Sequence, residues 1–353
     1  MGAKELTFFF SFLVFILAVL MLDLGVFSRK SHVVRFKEAV AWSVLWISLA
    51  IGFFFLVKSH GDLIHGIDNN VELRQVVERY DQPVTVDMSA GFEQNIEIYR
   101  ENLSLEYIAG YLIEKALSVD NIFVILLIFL SFGIQQKYYH RVLFWGIIGA
   151  LVMRFIFIFI SGAIIQQFEW VLYLFGAFLI FTGIKMFITR KEDDKIDTKN
   201  HPVVKFATKY FPVYPRNVYQ RFFIRNKKKF LFTPLFVVLL VVEFSDVVFA
   251  VDSVPAIFSV TKDPYIVFYS NIFAILGLRS LFFLVMNMFN YFHYLKDGLS
   301  LILTFIGVKM VIAQYPIHYH IPTNISLYAI LVILVLSILG SVVFPPKDKK
   351  PAK

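Results

Sequence analysis

Nine stretches of this 353-residue sequence are long and apolar enough to cross a lipid bilayer. They run Leu6–Phe27, Ala39–Val57, Leu105–Ile134, Val142–Ile165, Phe168–Thr189, Phe230–Val260, Ile266–Phe289, Leu295–Ala313 and Ile325–Phe344. A spanning helix needs ~17–25 such residues, and a chain with nine of them has few alternatives to a polytopic helical fold. Composition agrees. Hydrophobic residues make up 58% of the chain, against ~45–50% in a soluble domain. The first run lacks an A-x-A cleavage pattern and is read as a retained span rather than a leader.

Lysine and arginine fix an orientation. Loop 190–229 carries twelve of them and is expected on the cytoplasmic side. Alternation of nine spans then puts 23 of the 34 basic residues inside and leaves six in outer segments. The net charge of +8 therefore reads as a topology signal rather than a nucleic-acid footprint. The expected protein is an inner-membrane one, with its N-terminus out and its C-terminus cytoplasmic. The outer stretch 60–102 is acidic. It reads as a solvated loop with a short surface helix over Val71–Tyr80.

The chain also repeats itself. Ser118-Val-Asp-Asn121 is echoed by Ala250-Val-Asp-Ser253, and six residues before each Asp stands another acid, Glu114 or Asp246. Arg154 and Arg279 end matching segments, and Gly183-Ile-Lys-Met186 matches Gly307-Val-Lys-Met310. Each unit holds three spans, an odd number, so the second should cross the membrane in the opposite sense. The resulting organisation has two N-terminal helices (1–58), an outer polar loop (59–103) and a first repeat (104–189). A basic loop (190–229), an inverted second repeat (230–314) and a last helix with a basic tail (315–353) follow.

The charges inside the runs carry the functional reading. Glu114, Asp120, Glu243, Asp246, Asp252 and Asp23 all lie in apolar stretches, where an ionised carboxylate costs ~2.5–3.5 kcal/mol. Arg154, Arg279 and Lys115 compensate only some of them, Arg154 and Arg279 as candidate structural ion pairs. A divalent cation or protons would supply the rest. Lys185 and Lys309 stand near enough to helix ends to snorkel. Pro255 leaves the carbonyl of Val251 without its helical donor, so freed carbonyls beside Asp252 and Ser253 are natural extra ligands. Both acids of the first copy would face one cavity if the helix unwound near Ser118–Asn121. Such oxygen ligands suit Mn, Mg or Ca. The sequence has no Cys, which excludes disulfides and thiolate metal sites. His318 and His320 read as loop residues, Met186 and Met310 as packing, and Trp42, Trp46 and Trp170 as interface anchors. No H-E-x-x-H, G-x-S-x-G, Walker A or G-x-G-x-x-G motif is present, so an enzyme is not expected.

The strings Gly110-Tyr-Leu-Ile-Glu-Lys-Ala-Leu-Ser-Val-Asp-Asn121 and Asp246-Val-Val-Phe-Ala-Val-Asp-Ser-Val-Pro255 resemble the TerC family of bacterial integral membrane proteins, in its Alx-type branch. So do Ser270-Asn-Ile-Phe-Ala-Ile-Leu-Gly-Leu-Arg279 and Asp23-Leu-Gly-Val-Phe27. The resemblance implies the inverted repeats of LysE-type exporters and a role in metal homeostasis, notably manganese export, with an older association with tellurite resistance. It carries a metal role onto Glu114, Asp120, Asn121, Glu243, Asp246 and Asp252, and onto Asp23. The expected function is a proton-coupled Mn(II) exporter without a resident cofactor, Ca(II) being a second candidate cargo. A scaffold or sensor in envelope stress and a passive channel are the competing readings.

Overall fold

The computed structural model describes residues 2–27, 36–168, 170–189, 202–210, 212–213, 221–226, 229–288, 294–313 and 323–343. Helices α1 (Ala3–Phe27) and α2 (Phe36–His60) precede two short ones, α3 (Asp62–His65) and α4 (Asn70–Arg79). Next come α5 (Phe92–Ser131), α6 (Tyr139–Gln167), α7 (Val171–Thr189) and α8 (Pro202–Tyr210). An antiparallel hairpin, β1 (Phe223–Asn226) and β2 (Lys229–Phe232), leads into α9 (Pro234–Phe258). The chain continues through α10 (Pro264–Leu276), α11 (Leu278–Met288), α12 (Leu295–Ala313) and α13 (Thr323–Val343). Among the described residues the fold is all-helical apart from that hairpin, which bridges the end of the basic loop and the start of α9.

Six described helices, α1, α2, α6, α7, α9 and α13, are long and apolar enough to cross a membrane. The number rises to seven if α10 and α11, bent by 44° at their junction, form one span. The nine expected from the sequence are not reached on length and composition. The third and eighth runs do fold as α5 and α12. However, Glu114, Lys115 and Asp120 interrupt the apolar part of α5, and Lys296, Asp297 and Lys309 interrupt α12. Outward-facing Phe10, Val14, Met21, Phe181 and Ile188 are all more than half exposed. That apolar exterior is what lipid requires and water penalises.

The helix ends follow local chemistry. Asn69 caps α4 by accepting from the backbone N–H groups of Val71 (3.0 Å) and Glu72 (2.9 Å). Asp263 caps α10 in the same way through Tyr265, with Pro264 at the first helical position. Gly133, at φ 61°, takes the left-handed turn just past α5. The outer segment is more ordered than a solvated loop. The short helix expected at 71–80 is α4, and it buries Leu73 and Val77.

Helix α5 packs on α10, α9 and α2, while α9 packs on α6 and α7 pairs along α12. The α7–α12 seam is lined by glycine. A Cβ on Gly307 would stand 2.7 Å from the carbonyl oxygen of Gly176, and one on Gly183 would stand 2.8 Å from that of Ser300. Small residues let the two backbones approach this closely. Around α1, α2, α5 and α10 the core is aromatic, with Phe12 and Tyr269 at 4.5 Å and Phe53 and Phe273 at 4.9 Å between ring centres.

Helix α5 is continuous through Ser118–Asn121, so the unwinding that would turn both acids of the first copy to one cavity is not present. Helix α9 also runs through Pro255, which stands in its last turn, where little helix remains to disrupt. The break in the second copy falls at Gly277 instead, between α10 and α11. A side chain at Gly277 would press on Lys115 and Trp46.

Candidate functional site

Four helices send polar side chains to one buried point. The Arg154 guanidinium, 1% exposed in α6, pairs with Glu114 of α5 through Nη1. Its Nη2 reaches Oδ1 of Asp246 in α9 at 3.2 Å. Nη1 also donates to Oδ1 of Asn271 in α10 at 3.1 Å, and Asn271 Nδ2 donates to Oε2 of Glu114 at 3.1 Å. One arginine thus holds the leading acid of each of the two similar motifs, with Asn271 closing the ring. A guanidinium suits this because its planar fork serves two carboxylates at once. The structural ion pairing expected of Arg154 is what the geometry contains. Asn271 is not legible from the sequence, since an asparagine in an apolar run carries no spacing signal.

The other candidate residues surround this network. Glu243, one turn before Asp246 on α9, lies against α6 where Gly149 has no side chain. A Cβ at Gly149 would collide with the Glu243 carboxylate. Ser118 Oγ and Asn121 Nδ2 on α5, and Ser253 Oγ on α9, are buried with no hydrogen-bond partner among the described residues. Asp252 is half-buried beside Ser253, and Arg279 is buried at the start of α11. Asp120 lies in α5 and Asp23 near the end of α1, and their side chains fall outside what the structure describes. Among the described residues no three His, Asp or Glu side chains converge as a metal-holding group.

Two lysines differ from their expected roles. Lys115 lies within the electrostatic reach of its neighbour Glu114, but its hydrogen bond goes to another helix. Its Nζ donates to the carbonyl of Ala274 at 3.3 Å, at the end of α10. Adjacent helical residues point about 100° apart, so Lys115 meets the carbonyl set free by the α10–α11 break. Lys309 does not snorkel, for it is only 6% exposed and lies within the electrostatic reach of Glu106. Lys185 is exposed, as expected of a snorkelling residue. Trp46 is buried rather than interfacial, while Trp170 is exposed. His318 and His320 lie outside the described residues.

A second buried polar group, not anticipated from the sequence, lies where α3 meets the start of α10. His65 Nε2 lies 2.7 Å from Oδ2 of Asp263, and its Nδ1 lies 4.0 Å from Glu5. Thr261 donates to Glu106 at 2.6 Å, and Asn102 donates to the other Glu106 oxygen at 2.8 Å. The Asp263-Pro264 capping pair marked the helix start, but nothing local ties it to a histidine 198 residues away.

The profile of the family described as "Integral membrane protein TerC family" matches residues 99–349. An "Uncharacterized membrane protein STKORF319" of Myxococcus xanthus is 43% identical over 332 residues, covering 94% of this chain and 91% of its own length. Proteins printed as "Putative membrane-bound redox modulator Alx" are similar as well. The one from Salmonella typhi is 38% identical over 346 residues, covering 96% and 95% of the two chains. The one from Escherichia coli K12 is 38% identical over 332 residues, covering 92% and 91%. No solved structure matches this chain.

Proposed function

Because this multi-pass membrane protein belongs to the TerC family, we propose that it carries a divalent metal cation, foremost Mn(II), out of the cell across the inner membrane in exchange for protons. The observation that carries this reading is the set of unmet polar atoms on the repeated motif. Ser118 Oγ, Asn121 Nδ2 and Ser253 Oγ are buried without hydrogen-bond partners among the described residues, in the motifs that carry Asp120 and Asp252. Leaving such a group unsatisfied costs about 1–3 kcal/mol, which an occupant with its own charge and ligand demand removes. The repeat places Asn121 and Ser253 at equivalent positions on two helices that pack together.

The finer architecture is part of the proposal. Counting α5 and α12 as spans despite their charges brings the total to nine, with the two repeats inverted. The exchange of partners supports this, since the acidic helix of each repeat packs on the arginine-bearing helix of the other: α5 on α11, which carries Arg279, and α9 on α6, which carries Arg154. Arg154 then acts as an internal competitor. It neutralises Glu114 and Asp246 when no cargo is bound, and a cation reaching those acids must displace it. Asp120, Glu243, Asp252 and Asp23 complete the candidate ligand set.

A second reading has one observation in its favour. No three acidic or histidine side chains converge among the described residues, and Arg154 already satisfies two acids. A non-transporting scaffold or sensor would look like this too. The redox activity in the relatives' name cannot rest on a thiol here, for these 353 residues include no Cys.

The test is transport into proteoliposomes of purified protein, comparing Mn, Ca, Mg and Zn with and without a pH gradient. Mn should move faster than Mg, which dehydrates reluctantly, and an opposing proton gradient should accelerate it. No movement of any of the four ions would leave the scaffold reading standing.

A further inference from the structure

Helix α8 carries two different exposed rows. It packs on α9, with Ala207 buried and Val203 and Val204 against the core. Phe206 and Tyr210, four residues apart, stay 55% and 62% exposed, with ring centres 4.8 Å apart. Lys205 and Lys209, also four apart, form a parallel exposed row. At ~100° per residue the aromatic row lies between the buried face and the lysine row. Water penalises both rows, since it leaves two rings uncovered and like charges at this spacing repel. A helix of nine residues has little stability of its own to set against those costs.

The helix also ends where a span begins. The carbonyl of Pro212 accepts from the N–H of Phe232 at 3.0 Å, and Val213 bridges to the same residue, two positions before α9 starts at Pro234. On β1, half-exposed Phe223 packs with Phe232 and Phe236, at 5.3 and 5.2 Å between ring centres. Arg221, Phe223 and Arg225 are exposed and alternate with buried Phe222 and part-buried Ile224. The Arg141 guanidinium, at the start of α6, lies 5.2 Å from the ring centre of Phe222, and Trp145 one turn further on is half exposed. Cations and rings are thus interleaved around the first turns of two spans. Among the described residues no carboxylate pairs with Lys205, Lys209 or Arg221. The contact Lys209 does make is with the ring of Tyr210, at 5.4 Å.

We propose that α8 and the hairpin form an interfacial anchor for anionic phospholipid. Phe206, Tyr210 and Phe223 enter the boundary between headgroups and acyl chains, and Lys205, Lys209 and Arg221 meet the phosphate-bearing headgroups. Positive charge alone fixes the side on which a loop stays. An aromatic row set beside each basic one is what a segment lying in the interface adds. Lipid fits better than a soluble acidic partner because the rings stand at the starts of α6 and α9, where headgroups already surround the chain. On the proposed topology the leaflet is the cytoplasmic one, whose surface is negative. The anchor does not depend on which ion the helices carry. It steadies the start of α9, the helix that bears Asp246 and Asp252.

The full-length protein in detergent micelles tests this, titrated with phosphatidylglycerol or with phosphatidylcholine of the same chain length. A lipid that binds the folded protein raises its apparent unfolding temperature. We expect a rise on the order of 2–4 °C with phosphatidylglycerol, and less than half of it with phosphatidylcholine or with free glycerol phosphate. Lys205→Gln, Lys209→Gln and Arg221→Gln together should erase the difference between the lipids, and so should ~0.5 M salt with the wild type. Phe206→Ser with Tyr210→Ser should remove at least half of it. Equal stabilisation by the two lipids, or a full phosphatidylglycerol effect in both variants or in high salt, overturns the anchor. Glycerol phosphate that matches the lipid overturns the lipid assignment in favour of a free anion. Light scattering that finds a wild-type dimer and a monomer of the Phe206 and Tyr210 variant places a second copy on this face, and overturns it too.

Discussion

Glu114 and Asp246, the leading acids of two similar motifs 132 residues apart, end on the same guanidinium, that of Arg154. A single cation therefore ties the first repeat to the second at a buried point. Such a triad adds little net stability compared with apolar packing, but breaking it is expensive.

Arg154→Gln should lower stability by ~3–5 kcal/mol, because it leaves two carboxylates without their countercharge. Adding Glu114→Gln and Asp246→Asn to that background should restore most of the loss. Apparent unfolding temperature in detergent reads both effects. If Arg154→Gln unfolds with the wild type, the bridge is not holding the helices together.

Much of this centre was legible in the sequence, because charges stand out in apolar runs. Glu114, Arg154 and Asp246 could be picked out for their cost alone. Their pairing was harder to read, since which acid an arginine meets depends on helix rotation and packing, not on distance along the chain. Lys115 shows the limit. Its neighbour in sequence is Glu114, but its partner is a carbonyl on another helix. Lys309 was expected to reach solvent from a helix end, yet α12 lies where that route is closed and the side chain is buried. Pro255 offered a cause for a break in α9, but that helix runs through it, and the bend lies instead between α10 and α11 at Gly277, where a side chain would press on Lys115 and Trp46. Span counting reached nine on length, whereas α5 and α12 trade apolar length for charge. The outer contact between His65 and Asp263 joins two distant segments and left no local trace.

The proposed topology places loop 190–229 and the C-terminus inside and segment 60–102 outside. Cysteines introduced singly at Lys199 and Glu78 should react with an impermeant thiol reagent from opposite sides of the membrane. The absence of native cysteine makes the labelling unambiguous. Labelling from one side would sink both the nine-span count and the inversion.

Asp120 and Asp252 separate a transporter from a scaffold. Asp120→Asn or Asp252→Asn keeps side-chain volume and removes a charge whose burial was costly, so membrane insertion should persist. Metal transport should be lost in either variant. The double variant should be little worse than each single one, since groups acting as a unit are not additive. Wild-type uptake by both single variants would make these acids structural.

The glycine seam between α7 and α12 also constrains how the bundle can move. Gly176, Gly183 and Gly307 bring main chain against main chain, and Val311, Thr304 and Ile180 of the facing helices press into the space their missing side chains leave. Separating them would expose the carbonyls of Gly176, Gly307 and Ser300, which the close approach now covers, to the surrounding lipid. In the proposed transport cycle the two helices should therefore move together, as one rod against which the other helices shift.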